Sequence, residues 1–216
     1  MIDKNPLPFA PPMLKHGDVV ISQTPNIMLY LSTHLTSPID LEVSPSEPSS
    51  SPSPLESPKY SPPTLSDPLV YQIHSLVLTI LDLNNETHDT HHPISVSSYY
   101  EDQKAEAKKR AKDFREKRVP KFFDHFEANF KRNGKGDWLF GEKASCADLC
   151  LFQVVDGLKF AYPNLMEKIL PRYTKISELY EKVKNSPRIK SYLESERRQK
   201  YSMGVFRYYE ELDEPK

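Results

Sequence analysis

From Ser37 to Pro68 the chain carries nine prolines and ten serines in 32 residues, including the run Ser49-Ser50-Ser51-Pro52-Ser53-Pro54. Proline fixes its own φ, has no N–H to donate to a helix or a ladder, and drives the residue before it away from the helical region. Few large apolar side chains are present to offset the entropy of ordering, so the segment 37–66 is expected to be a disordered linker. The usual connection is only about 2–6 residues long. The sequence therefore divides into a short piece, 1–36, and a long one, 67–216.

Charge and hydropathy narrow the function. With 29 Lys+Arg against 30 Asp+Glu the net charge is −1, so no overall positive field draws the chain to nucleic acid or anionic lipid. The longest apolar-rich stretch, Leu76 to Leu83, is broken by Thr79 and Asp82 and falls short of the ~20 residues a bilayer requires. No apolar leader follows Met1, and two cysteines make no disulfide framework, so a cytoplasmic chain is expected. Between Lys104 and Lys121 nine basic residues interleave with Glu106, Asp113 and Glu116, which reads as a solvated helix face.

The short piece reads as ββα. Pro12-Met13-Leu14 and Val19-Val20-Ile21 flank Lys15-His16-Gly17-Asp18, a hairpin turn. Thr24 as N-cap, Pro25 at the first helical position and Ile27, Tyr30 and Leu31 then predict a helix. A two-stranded sheet is marginal in water and must pack on something else.

The long piece reads as all-helical. Asp67-Pro68 starts a helix whose face is Leu69, Ile73, Leu76, Ile80 with Val70, Val77 and Leu81, ending near Asn84-Asn85. A second begins near Tyr99 and runs along Ala107, Ala111 and Phe114 into Phe122, Phe123, Phe126 and Phe130, with Pro120 expected to kink or interrupt it. In Ser145-Cys146-Ala147-Asp148 the carboxylate can reach back to the serine N–H, a capping box that opens a helix apolar on nearly all sides. Two more helices are expected at 171–184 and 187–195, followed by a tail with Tyr201, Phe206, Tyr208 and Tyr209.

These motifs, in this order, resemble the glutathione transferase family. Ala10-Pro11-Pro12-Met13-Leu14, Gly17-Asp18 and Ile21-Ser22-Gln23-Thr24-Pro25-Asn26-Ile27 resemble the second half of its thioredoxin-like domain, and Phe140-Gly141 with Ser145-x-Ala147-Asp148 resembles its helical-core capping motif. The resemblance implies a mainly α fold: a partial thioredoxin-like ββα unit, then an all-α C-terminal domain. It implies glutathione as co-substrate, held by Pro11, Pro12, Gln23 and Thr24, a small apolar electrophile as second substrate, and a possible homodimer. A helix N-terminus offers free N–H groups and the positive end of a dipole, which suits the γ-glutamyl carboxylate of glutathione.

Either Pro12 or Pro11 could hold the family's cis-proline place. In the first register the preceding residue, Pro11, offers only its carbonyl; in the second, Ala10 offers both backbone groups. The family's thiol-activating Tyr, Ser or Cys belongs to a strand-helix-strand before this point, where the sequence has 11 residues. The catalytic residue is therefore unassigned. A non-catalytic binding or interaction protein of the same fold, or an incomplete gene product, is the alternative to nucleophilic addition of glutathione.

His88-Asp89-Thr90-His91-His92-Pro93 is expected to be a polar interhelical loop, and no metal ligands are assigned in it. Cys146 and Cys150, four apart on one helix, are expected to remain separate, packed thiols. Tyr71, Tyr99, Tyr100 and the tail aromatics could line a co-substrate pocket, with core packing the equal or better reading.

Overall fold

The computed structural model describes residues 6–34, 64–134 and 136–213. Most of the expected linker, up to residue 63, lies outside the described residues. Thr64 to Ser66 form a turn into the next helix, with Asp67 N–H donating to the Thr64 carbonyl at 2.9 Å.

The short piece has the expected hairpin and helix. Strands β1 (Met13–His16) and β2 (Val19–Ser22) pair antiparallel, with Met13 opposite Ser22 and His16 opposite Val19. Gly17 turns the hairpin at φ +60°, a conformation glycine adopts without the steric cost of a Cβ. Helix α1 (Thr24–His34) follows and packs beside α2 (Pro68–Asp89), with Met28 reaching the helical core. This contact supplies the partner that the two-stranded sheet needs.

Helix α2 starts as expected: the Asp67 carboxylate accepts from Leu69 N–H at 2.9 Å and Pro68 occupies the first turn. It does not stop at Asn84-Asn85. Thr87 is buried beyond that point, and the Glu86 carboxylate receives the Arg118 fork at 2.5 and 2.7 Å, so tertiary partners carry the helix on to Asp89.

Helix α3 (Lys104–Asp113) and α4 (Val119–Asn133) are separated by one widened turn, Phe114–Arg118, in which Val119 N–H donates to the Phe114 carbonyl. Pro120 explains it. Its missing N–H and bulky ring disfavour an ordinary turn there, and the chain widens just upstream instead of breaking. The face Phe122, Phe123, Phe126 and Phe130 is buried, as its spacing predicts.

Helix α5 (Cys146–Ala161) is the centre of the unit, lying against α2, α6 (Pro163–Ile169) and α7 (Thr174–Asn185). Its Asp148 is fully buried and accepts three hydrogen bonds at 2.7 Å each: Ser145 N–H, Ser145 Oγ–H and Leu139 N–H. The first is the expected reach-back; the last ties the preceding loop to the helix start. Helix α6 was not foreseen, and α7 begins at Thr174 rather than Pro171. Both starts are capped from afar: Asp213 accepts from Asn164 and Leu165 N–H at 2.8 and 3.2 Å, and Glu127 accepts from Lys175 and Ile176 N–H at 3.3 Å. Helix α8 (Pro187–Leu193) and an aromatic tail finish the chain, with Phe206 buried and Tyr208 exposed.

Candidate functional site

The hairpin brings the four predicted binding residues to one end of the ββα unit. Met13 is the last β1 residue paired, opposite Ser22, so Pro11-Pro12 and Gln23-Thr24 leave the ladder together at its open end. The Pro11–Pro12 peptide bond is cis, which makes Pro12 the cis-proline and Pro11 the residue before it. That residue offers a carbonyl and no N–H. All four side chains are exposed.

Gln23 has φ +70°, a left-handed conformation that costs a non-glycine residue roughly 1–2 kcal/mol. Its carbonyl accepts Ile27 N–H at 2.9 Å, so Gln23, not Thr24, is the flanking residue of α1, and Thr24 and Pro25 form its first turn. The N-cap expected at Thr24 thus lies one residue earlier, because the left-handed turn aims the Gln23 carbonyl down the helix axis. Asn26 Nδ2 donates back to the Ser22 carbonyl at 3.4 Å and pins the turn. Among the described residues nothing accepts from the Thr24 or Asn26 N–H. The result is a helix N-terminus open to solvent at its donor end, an arrangement that attracts a carboxylate.

The other candidates fall differently. Tyr100 is 3 % exposed and stacks on Tyr209 with ring centroids 3.8 Å apart, whereas Tyr71 and Tyr99 face solvent, so these tyrosines do not share one pocket wall. Cys146 and Cys150 are free thiols, as expected, and burial pushes their pKa values up to about 11 and about 12, with Asp148 adding to both. Neither is a nucleophile at neutral pH. The histidine segment is not a polar loop: His88 lies in the last turn of α2 and His91 is only 2 % exposed.

A cluster absent from the sequence reading surrounds Asp156 on α5. Its carboxylate accepts from Tyr180 Oη at 2.9 Å, Tyr201 Oη at 2.7 Å and Arg198 Nη2 at 3.1 Å. Burial first, and the carboxylate second, push both phenols above the usual tyrosine range. A lone acid inside Val154-Val155-Asp156-Gly157-Leu158 was the available signal. Its partners here tether the tail to the core.

No helix among the described residues is long and apolar enough to cross a membrane. A small ββα unit with an open, cis-proline-flanked helix N-terminus, backed by a helical unit centred on a capped, buried helix, defines the class. The family model described as glutathione S-transferase, C-terminal domain, matches residues 88–196, about half of the chain. The chain belongs to the glutathione S-transferase family, with a partial thioredoxin-like unit followed by an all-α C-terminal domain. Among curated proteins no sequence matches it.

Proposed function

We propose that the chain is a glutathione transferase-like protein that holds glutathione at the open end of its hairpin and adds its thiol to small apolar electrophiles. Residues 1–36 would supply the binding half, 37–66 the linker and 67–216 the helical domain. The observation that carries the reading is the left-handed Gln23 turn, which leaves the first N–H groups of α1 unpaired among the described residues beside Pro12. The γ-glutamyl carboxylate would dock on Thr24 N–H and hydroxyl, with Gln23 Nε2 and Oε1 as side-chain partners, and the Pro11 carbonyl would face the cysteinyl part. A cytoplasmic detoxifying role, with a homodimer as the working unit, belongs to the same reading.

A non-catalytic reading draws on Pro11, which removes one of the two backbone bonds that the cysteinyl part would make. Calorimetric titration of the full chain with glutathione, paired with conjugation of a generic aryl halide, separates the two. Thr24→Ala is expected to weaken glutathione about tenfold, a change of ~1.4 kcal/mol. Binding with turnover supports the transferase, whereas binding without turnover, or neither, supports the non-catalytic binding or interaction protein.

A further inference from the structure

His88, His91 and His92 stand at i, i+3 and i+4 across the end of α2 and the turn that follows it, where the helical spacing puts all three on one face. Their ring centroids lie 5.0 Å (His88 to His91), 5.1 Å (His88 to His92) and 4.9 Å (His91 to His92) apart. One nitrogen from each falls within 4.8 Å of the others. Three imidazoles this close are not explained by packing alone, since each is a polar ring that the core must desolvate.

The hydrogen bonds around the cluster fix which nitrogens are free. His91 Nε2 lies 2.9 Å from the Val205 carbonyl, which can only accept, so Nε2 carries the hydrogen and Nδ1 keeps its lone pair. That Nδ1 is buried and has no hydrogen-bond partner. A bare lone pair in a residue only 2 % exposed is costly unless something occupies it. His88 turns Nδ1 toward the Asp89 carboxylate at 3.5 Å. Gln103 has two amide hydrogens, and the Ser95 and Ser98 carbonyls lie 2.9 and 3.2 Å from its nitrogen. Its 3.3 Å approach to His92 Nδ1 therefore does not make that nitrogen an acceptor, and the same two carbonyls also bond the His92 ring. Each imidazole thus has an outer partner on one side, the arrangement that orients a metal-bound histidine.

We infer that His88, His91 and His92 form a binding site for a late first-row divalent cation, with Zn²⁺ as the reference ion and the fourth position open to water. Neutral imidazole nitrogen is the preferred donor for this class of ion. Zn–N bonds of ~2.0–2.1 Å in a tetrahedron place the nitrogens about 3.3 Å apart, so the cluster closes by roughly 1.5 Å or less through ring rotation. His88 and His92 are only part-buried and give the ion its way in. Arg207 is the opposing charge, facing His91 and His92, and Asp89 is the carboxylate that offsets it beside His88. Through His91 and Val205 a bound ion would fasten the end of α2 to the tail.

The test is titration of the chelator-stripped full chain with Zn²⁺, read by calorimetry, and with Co²⁺, read by its visible bands. One ion per chain, nitrogen-type tetrahedral Co²⁺ bands and a raised melting temperature are expected. The double variant His88→Gln with His92→Gln leaves the buried His91 in place and is expected to lose at least ~100-fold in affinity, since loss of a mere outer partner already costs ~10–100-fold. His125→Gln, on the exposed face of α4, is the control and should bind as the wild type does. Absence of saturable Zn²⁺ uptake by the wild type, or equal uptake by the double variant, would overturn the inference.

Discussion

Gly157 of α5 lies directly beneath the ring of Phe206, so closely that a Cβ on Gly157 would come within 2.5 Å of three ring carbons. Helix propensity alone favours alanine there by ~1 kcal/mol, but the buried ring cannot retreat without opening the tail. Gly157→Ala is expected to destabilise the chain by about 1–3 kcal/mol, read as a fall in the urea midpoint. In a Phe206→Ala background the same change should cost nothing or gain slightly. Equal effects in both backgrounds would show that the ring is not the obstacle.

Asp148 accepts three hydrogen bonds with no exposure to solvent. Asp148→Ala strands Leu139 N–H, Ser145 N–H and the Ser145 hydroxyl together, and each buried orphan costs ~1–3 kcal/mol. A loss of at least ~3 kcal/mol is expected, with Asp148→Asn intermediate because one acceptor oxygen survives. Chemical denaturation of the two variants side by side checks the order, and an alanine variant as stable as the asparagine one would contradict it.

With pKa values of about 11 for Cys146 and about 12 for Cys150, the native thiols are almost wholly protonated at neutral pH. At pH 8 their thiolate fractions would be ~0.001 and ~0.0001, against roughly a quarter for an unfolded cysteine. An aromatic disulfide reagent should therefore label the folded chain at least ~100-fold more slowly than the urea-unfolded one, which should release two equivalents. Rapid labelling of the folded chain would place a thiol in solvent.

Arg118 grips Glu86 with two nitrogens, Nε at 2.7 Å and Nη2 at 2.5 Å, while its guanidinium lies 5.2 Å from the centre of the Phe122 ring. Lysine keeps the charge but neither the fork nor the flat stacking surface. Arg118→Lys is expected to cost about 1 kcal/mol, discounted because the pair is partly open to water. A double-mutant cycle with Glu86→Gln measures the coupling, and a value indistinguishable from zero would reduce the pair to surface decoration.

What could be read from residues alone was what is settled within a few positions. Asp67-Pro68, the Ser145-to-Asp148 reach-back, the disturbance around Pro120 and the phenylalanine face all depend on neighbours in sequence, and all appear in the structure. The misses depend on distant partners. Helix α2 overran Asn84-Asn85 because Arg118 waits for Glu86, α6 starts because Asp213 supplies the acceptor, and His91 is buried because Val205 meets it. At the hairpin, the two strands and the turn between them were legible, whereas the left-handed turn that shifts the cap from Thr24 was not. No rule of composition assigns a positive φ to glutamine.

The family match opens at His88, inside the last turn of α2, and closes at Glu196, ahead of Phe206 and Leu212. Val77, Ile80 and Leu83, all fully buried, stand before it. A cut made at the limits of similarity would discard the helix on which α5 rests and the ring that covers Gly157, exposing the two flanks of one core at once. The stretch that relatives share is shorter than the stretch that must be synthesised for any of it to hold together.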